Sequence, residues 1–395
     1  MNERFRIFFY YGYKVGLHVF AVVGFVLVVG FFAVRFHWTD VAGAVDRNSD
    51  RFQQTLLGKN AKADAKVLGV ENQKDFSGAI SLDDLDTQIE KLSAKKELRR
   101  KNYCLIDAIG QYSPGAAAKI LQTYKQNDSD ILASKMILAA RLRLEEKDGS
   151  NFFASCDNGN VQPDDAAISK KYLGAESETI FPWMDNDQWN TIREAIVKDK
   201  DVIEKAATMV GIEPRLLVSC AIVEQVRLFN SDREMFKKFF EPLKILGNAN
   251  KISLGIMGIK ENTAIETENH LKDANSPYYL GMDFEHALDF ENGNDGSARY
   301  DRLTENTHYY SYLYGAIYLK QMMTQWKNAG FDITYRPEIV GTLFNVGFSQ
   351  SKPNANPKVG GSNIDVQGAK YTFGSLAYEF YYSGELLDAF PYVVK

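Results

Sequence analysis

The sequence predicts an all-α protein with one membrane-crossing helix near its N-terminus, a small helical module and a larger helical C-terminal half. Three observations predict it. Val15 to Val34 is an apolar run with no formal charge. From Ser81 onward apolar residues recur at three- and four-residue spacing, the period of a helix with one buried face. Residues 81–170 hold no alternating strand pattern of useful length and no internal repeat. The composition fits: 45% hydrophobic and 25% charged residues in a chain of 395 exclude a disordered chain and a polytopic membrane protein, and the length allows two or three domains. Lys and Arg number 46 against 51 Asp and Glu, so the net charge is -5 and no nucleic-acid partner is expected. With 5 His, 3 Cys, no Cys-x-x-Cys and no His-Glu-x-x-His, the standard zinc patterns are missing, and neither a metal nor a cofactor is expected.

The apolar run is 20 residues long, and a helix of that length spans ~30 Å, the hydrocarbon thickness of a bilayer. Arg4, Arg6 and Lys14 precede it against a single acid, Glu3, whereas Arg35 and Arg47 are mixed with Asp40, Asp46 and Asp50 after it. That asymmetry keeps residues 1–14 in the cytoplasm and exports the rest. Tyr10, Tyr11, Tyr13 and Trp38 suit the two interfaces. A cleaved signal peptide with Ala42-Gly43-Ala44 as its cleavage site is the alternative; the length of the run favours an uncleaved anchor over 15–35. The expected location is therefore the inner membrane, single-pass, with the C-terminal part in the periplasm or cell-wall space. Residues 36–80 are polar and read as a linker or stalk. In an oxidising compartment Cys104 and Cys156 are expected to pair, and Cys220, in an apolar helix, to stay a buried thiol.

The helical module spans 81–180. Ser81 caps a first helix whose basic end runs from Lys95 to Lys101. Ser113-Pro114 and Ser129-Asp130 start two more, and a turn follows at Asp157-Asn158-Gly159-Asn160. The C-terminal half, 181–395, opens with a helix from Asn186-Asp187 through Ile196 and another over Val202 to Met209. Gly211 closes that helix and Pro214 begins the next.

In this last helix Leu217, Cys220, Ala221 and Leu228 share the face of Glu224. A carboxyl group among apolar neighbours is hard to ionise, which is what a general acid needs near neutral pH. A bland reading stands beside it: Arg227, three residues on, is placed to pair with Glu224. Ser253-Leu254-Gly255-Ile256-Met257-Gly258-Ile259 follows, with two glycines that permit a close backbone approach; alone, such a pair reads as a turn. Tyr314 to Lys320 lie in a long amphipathic helix reaching Trp326, and Leu343-Phe344-Asn345-Val346-Gly347 ends another helix before a Pro/Asn/Gly-rich loop. Tyr309, Tyr310, Tyr312, Tyr314 and Tyr318 offer rings for stacking on sugars; at helical spacing part of the set is core.

In this order the four elements resemble the lytic transglycosylase family, which has a lysozyme-like fold. Gly211 to Gln225 matches its helix start and its Glu-Ser, with Glu224 on the catalytic glutamate. Gly255-Ile256-Met257-Gly258-Ile259, followed by Thr263-Ala264, matches its Gly-Leu-Met-Gln-Ile segment. Gly315, Tyr318 and Leu319 match its Gly-x-x-Tyr-Leu helix, and Leu343 to Gly347 its Ala-Tyr-Asn-x-Gly motif. A late family tyrosine corresponds loosely to Tyr378. The resemblance covers roughly 200–385. The departures are Gln225 for serine, Gly258 for glutamine, Phe344 for tyrosine, and a longer connection over 265–313 carrying Tyr278, Tyr279, Asp283 and His286.

The resemblance implies a lysozyme-like helical domain at 181–395 that cleaves the β-1,4 bond between N-acetylmuramic acid and N-acetylglucosamine in peptidoglycan. Glu224 would act first as acid and then as base, giving 1,6-anhydro ends without a second carboxylate. Ser253, Leu254, Gly255, Ile256 and Met257 would hold sugar and acetamido groups, with Tyr314, Asn345 and Tyr378 as further substrate contacts. Peptidoglycan strands are thus the expected partner, and an anchored enzyme of this kind suits an envelope-spanning secretion or division machinery. The competing readings are a non-catalytic wall-binding scaffold and a hydrolytic lysozyme, for which Asp232 is the formal second carboxylate. Asp283, Glu285, His286 and Asp289 match no ligand spacing and read as a solvated insertion.

Overall fold

The computed structural model describes residues 97–148, 153–157, 163–185, 187–230, 253–290 and 296–393, together with eight residues between 17 and 29. The described residues contain thirteen α-helices and four short strands. The expectation of an all-α chain with a transmembrane helix is corrected on both counts. Among the described residues no helix is long and apolar enough to cross a membrane, and most of 15–35 lies outside them, as do the stalk at 36–80 and nearly all of the helix expected from Ser81. Two antiparallel two-stranded ribbons also interrupt the helices.

The N-terminal module is built from α1 (Glu97–Tyr112), α2 (Pro114–Asn127), α3 (Asp130–Asp148), the single turn α4 (Ala154–Asp157) and α5 (Asp165–Tyr172). Its starts follow the local signals. Ser113 accepts a hydrogen bond from the Ala116 amide, with Pro114 in the first turn, and Ser129 accepts one from Leu132. Cys104 of α1 is disulfide-bonded to Cys156 of α4. Arg141 holds the same turn from α3 with a two-pronged bond to Asp157, at 3.0 and 2.8 Å.

The C-terminal half begins with α6 (Asp187–Lys198), α7 (Lys200–Val210) and α8 (Pro214–Phe229). Gly211 ends α7 in the left-handed region, at φ 69°, and the Ile212 amide reaches back to the Ala207 carbonyl. Three residues then turn the chain into α8. This helix is buried almost all round, from Arg215 to Glu224 and again at Val226, so it is a core helix with no solvent stripe. Around it pack α11 (Tyr309–Asn328), α12 (Pro337–Val346) and α13 (Phe373–Tyr382), while α9 (Glu261–Lys272) and α10 (Gly296–Thr304) lie outside α11.

Arg215, at the second position of α8, is fully buried. Its guanidinium donates to the carbonyls of Tyr381 (2.9 Å), Glu385 (2.8 Å), Phe390 (3.0 Å) and Phe380 (3.3 Å). These acceptors are the last carbonyls of α13 and the segment after it, where a helix has no partners of its own and its dipole favours a cation. The rings of Phe380, Tyr381 and Tyr392 surround the guanidinium.

One apolar core runs from Cys104 to Tyr392, through both halves. Glu379 of α13 crosses it: its carboxylate accepts from Arg143 of α3 (2.6 and 3.1 Å), the Trp183 indole (2.9 Å) and the Tyr371 hydroxyl (2.8 Å). Lys119 of α2 pairs with Glu385. Asp199, before α7, accepts from Tyr312 at 3.1 Å and faces His308 at 2.6 Å, tying the starts of α7 and α11.

The second ribbon joins β3 (Asn363–Val366) to β4 (Ala369–Thr372). Gln367 and Gly368, both at positive φ, form the two-residue turn that suits the twist of a hairpin. Ile364, Val366 and Tyr371 face the core and Asp365 faces outward. Thr372 then caps α13 in a reciprocal box with Ser375.

Arg215→Met is expected to lower the unfolding free energy by about 3–5 kcal/mol, because buried carbonyls lose a charged donor; a urea midpoint within error of the native protein's would refute this. The Cys104–Cys156 bond closes a separation of 52 residues, so Cys104→Ala/Cys156→Ala should cost about 4 kcal/mol on the chain-entropy scale. A reductant should bring the native midpoint down to that of the double variant and leave the variant unmoved.

Candidate functional site

Glu224 lies on α8, about two and a half turns beyond the buried Arg215, and is 3% exposed. The next described element is a hairpin, β1 (Ser253–Leu254) paired antiparallel with β2 (Ile259–Lys260), with Leu254 opposite Ile259. Its turn is Gly255-Ile256-Met257-Gly258, closed by a hydrogen bond of 3.2 Å from the Gly258 amide to the Gly255 carbonyl. Both glycines are in the left-handed region, at φ 65° and 61°.

What each glycine approaches explains its place. A Cβ on Gly258 would lie 2.2 Å from Oε1 of Glu224 and 2.6 Å from its Cδ. A Cβ on Gly255 would lie 2.1 Å from the Leu303 carbonyl and 2.5 Å from the Ser311 hydroxyl. The hairpin thus sits with its backbone on the carboxyl group at one end and on α10–α11 at the other. Gln225, the next residue of α8, donates to the Ile256 carbonyl at 2.7 Å, and Ser311 accepts from the Met257 amide at 3.2 Å. The Met257 side chain, fully buried, rests against Gly315. Ser311 and Gly315, four apart on one face of α11, form the groove that receives it. Gln225, a departure from the family's serine, is therefore one of the hairpin's fastenings.

Arg227 grips the carboxyl group of Glu224 from one turn on. Nε donates to Oε2 at 2.9 Å and Nη2 to Oε1 at 2.5 Å. Of the two readings open for Glu224 in the sequence, a carboxyl among apolar neighbours and a partner of Arg227, the structure combines both. Cys220 is buried on the same helix; burial first, and the charge of Glu224 second, push its thiol up, so it stays protonated.

The remaining residues singled out in the sequence fall in several places. Gly255, Ile256 and Met257 form the turn beside Glu224, and Ser253 and Leu254 form its first strand. Tyr314 is in the core and donates at 2.5 Å to Glu268, which also receives Arg299 at 2.9 Å on each oxygen. It presents no free face for a sugar. Burial first, then the bond to Glu268, push its hydroxyl well up. Tyr312 and Tyr318 are likewise buried, whereas Tyr309 and Tyr310 are half-buried beside Lys205 and Arg302. Tyr378 is buried in α13, its ring 4.9 Å from that of Tyr382.

Asn345 ends α12 half-buried; its Oδ1 accepts from the Ser362 amide (2.7 Å) and hydroxyl (3.0 Å). Those bonds fix the side-chain amide and leave its Nδ2 as the donor it offers. Phe344, a departure from the family's tyrosine, packs on Tyr318, whose hydroxyl donates to the Phe344 carbonyl at 3.3 Å. Asp232 lies outside the described residues.

In the long connection, Arg302 stacks 3.7 Å over Phe290 and donates to the carbonyls of Leu288 and Asp289. Asp289 also pairs with Lys272 and His286, whose hydrogen bonds hold its carboxyl below the usual range. Tyr279 donates to Glu285. Among the described residues no group of three or more His, Cys, Asp or Glu is arranged to hold a metal ion.

No protein-family model, no curated protein and no solved structure matches this chain. Residues of the four sequence motifs meet in the structure. Glu224 touches Gly258, Met257 touches Gly315 and Leu217 lies beside Gly315; Tyr318 bonds to Phe344.

Gly258→Ala is expected to lose about 2–4 kcal/mol of stability, from the left-handed backbone and from the methyl group driven into Glu224. In a Glu224→Ala background only the backbone cost of about 1–2 kcal/mol should remain. A double-mutant cycle by urea unfolding reads the difference, and strict additivity would contradict the contact.

Proposed function

We propose that the protein is a peptidoglycan lytic transglycosylase with Glu224 as its single acid–base group. The observation that carries this reading is the buried Glu224 carboxyl seated against the backbone of the glycine hairpin. Protonated, Glu224 would give its proton to the glycosidic oxygen as the C1–O4 bond breaks. As a carboxylate it would take the proton of the muramoyl 6-hydroxyl while that oxygen bonds to C1. No water is consumed, and the product ends in a 1,6-anhydro ring. One carboxyl group passing a proton both ways needs no second carboxylate, unlike the usual glycosidase pair.

Backbone groups of residues 253–257 are proposed to receive the sugar and acetamido groups, and the Nδ2 of Asn345 to donate to the strand. The site is proposed to work outside the cytoplasm; the Cys104–Cys156 disulfide supports an oxidising compartment. A second reading, a scaffold that binds glycan strands without cutting them, is favoured by one observation: both oxygens of Glu224 accept from Arg227, so the carboxyl group is already engaged within the protein.

Mass spectrometry of muropeptides released from purified peptidoglycan separates the readings. The native protein should release anhydro-muropeptides, and Glu224→Gln should release them about 10²–10⁴-fold more slowly. Products about 18 Da heavier, by one water, would mean a hydrolase. No release by either form, with binding retained, would mean the scaffold.

A further inference from the structure

Glu338 lies in the first turn of α12 and is 1% exposed. Its Oε1 accepts from Nε of Arg336 at 3.2 Å. Its Oε2 is buried and has no hydrogen-bond partner in the protein. The backbone here is pinned. The Glu338 carbonyl accepts from the Thr342 hydroxyl at 2.7 Å, and that hydroxyl accepts from the Gly360 amide at 3.0 Å. A Cβ on Gly374 of α13 would lie 2.4 Å from the same carbonyl. The carboxyl group therefore cannot reach water by a small movement of its own turn. Two cations act on it: Arg336, just before the helix, and Lys135 of α3, which lies 5.8 Å from the ring centre of Tyr382 on α13. Charged side chains on the helices packed against α12 are engaged elsewhere or exposed. Glu379 of α13 is held by Arg143, Trp183 and Tyr371. On α8, Arg215 is held by carbonyls and Glu224 by Arg227. On α11, Lys320 donates to the Gly211 carbonyl and Lys327 is exposed. A buried carboxylate oxygen without a donor is costly, and the neutral acid is much less so. We propose that Glu338 is a pH-sensitive joint: neutral, it lets α12 seat on α13; ionised, it weakens that seat and the tie to Gly360. Burial, the largest effect, pushes this carboxyl up from its ordinary 4.5, against the pull of Arg336, its own amide and Lys135.

This inference stands apart from the glycan-cleaving reading, and its test needs no substrate. A group whose folded value lies above its unfolded one gives its full stabilisation below the unfolded value. That stabilisation is lost as pH rises through the folded value. Urea unfolding of the full chain would be followed from about pH 5 to about pH 8, beside Glu338→Gln and Glu338→Met. Other titrating groups are common to all three proteins and cancel in the comparison. The native unfolding constant should rise relative to either variant by up to about tenfold per pH unit. The ratio should level only where the buried carboxyl itself ionises. A ratio that stays constant over the whole range would mean that Glu338 ionises at its ordinary value, and would overturn the proposal. So would a ratio that falls with pH, which would make Glu338 an anionic partner of Arg336 and Lys135. Should neither variant fold, Arg336→Gln keeps the question open to test, because it removes the one side-chain donor to the carboxyl. The proposal then expects a loss of stability, relative to the native protein, that grows toward high pH. An equal loss at every pH would overturn it.

Discussion

The arrangement depends on a fully buried cation. Arg215 enters the core at the start of α8 and gathers the carbonyls at the end of α13. A guanidinium without water needs nearly all its donors occupied, and the carbonyls at a helix C-terminus, which lack intrahelical donors, have lone pairs to accept them. Each therefore fixes the other. Because α8 is one continuous, buried helix, fixing its first turn also fixes the azimuth of its third, where Glu224 and Gln225 face the glycine hairpin. Placement of the carboxyl group is thus set from the far end of the helix by a residue that never touches it.

The hairpin has the complementary role. Its turn makes few demands on side chains and many on backbone: one left-handed glycine lies against a carboxyl group, the other against a carbonyl and a hydroxyl. Met257 is the exception, a side chain that anchors the turn in the groove at Gly315. Main-chain groups are thereby held next to Glu224 by fastenings on α8, α10 and α11.

Much of this was legible in the sequence where the signal is local. Gly211 and Pro214 fix the α7–α8 junction through backbone conformation alone, and Ser113-Pro114 does the same for α2. Glu224 was visible by periodicity, and Arg227 by its spacing as a partner. What escaped is non-local or weakly encoded. The β3–β4 hairpin turns on Gln-Gly, a poorer signal than Asn-Gly, and its strands have four residues each, too short for alternation to stand out. Tyr314 and Tyr378 enter as candidate sugar contacts, Tyr314 from a set of helical tyrosines of which part is core and Tyr378 from the resemblance alone, and a helix buried on nearly every side has no polar face to tell which rings are inside. The contacts of Gly255 with Leu303 and Ser311 depend on how α10 and α11 fold back, which no local window contains.

The Glu379 cluster bears on how this protein can be divided. The carboxylate belongs to α13, yet the guanidinium that neutralises it comes from α3, more than two hundred residues earlier in the chain. A recombinant fragment begun at residue 181 would retain Trp183 and Tyr371 beside Glu379 but leave the buried anion without its cation. The N-terminal helices in this sense supply a counterion to a distant part of the same chain, and a minimal folded unit would have to include them or replace Glu379 together with its partners.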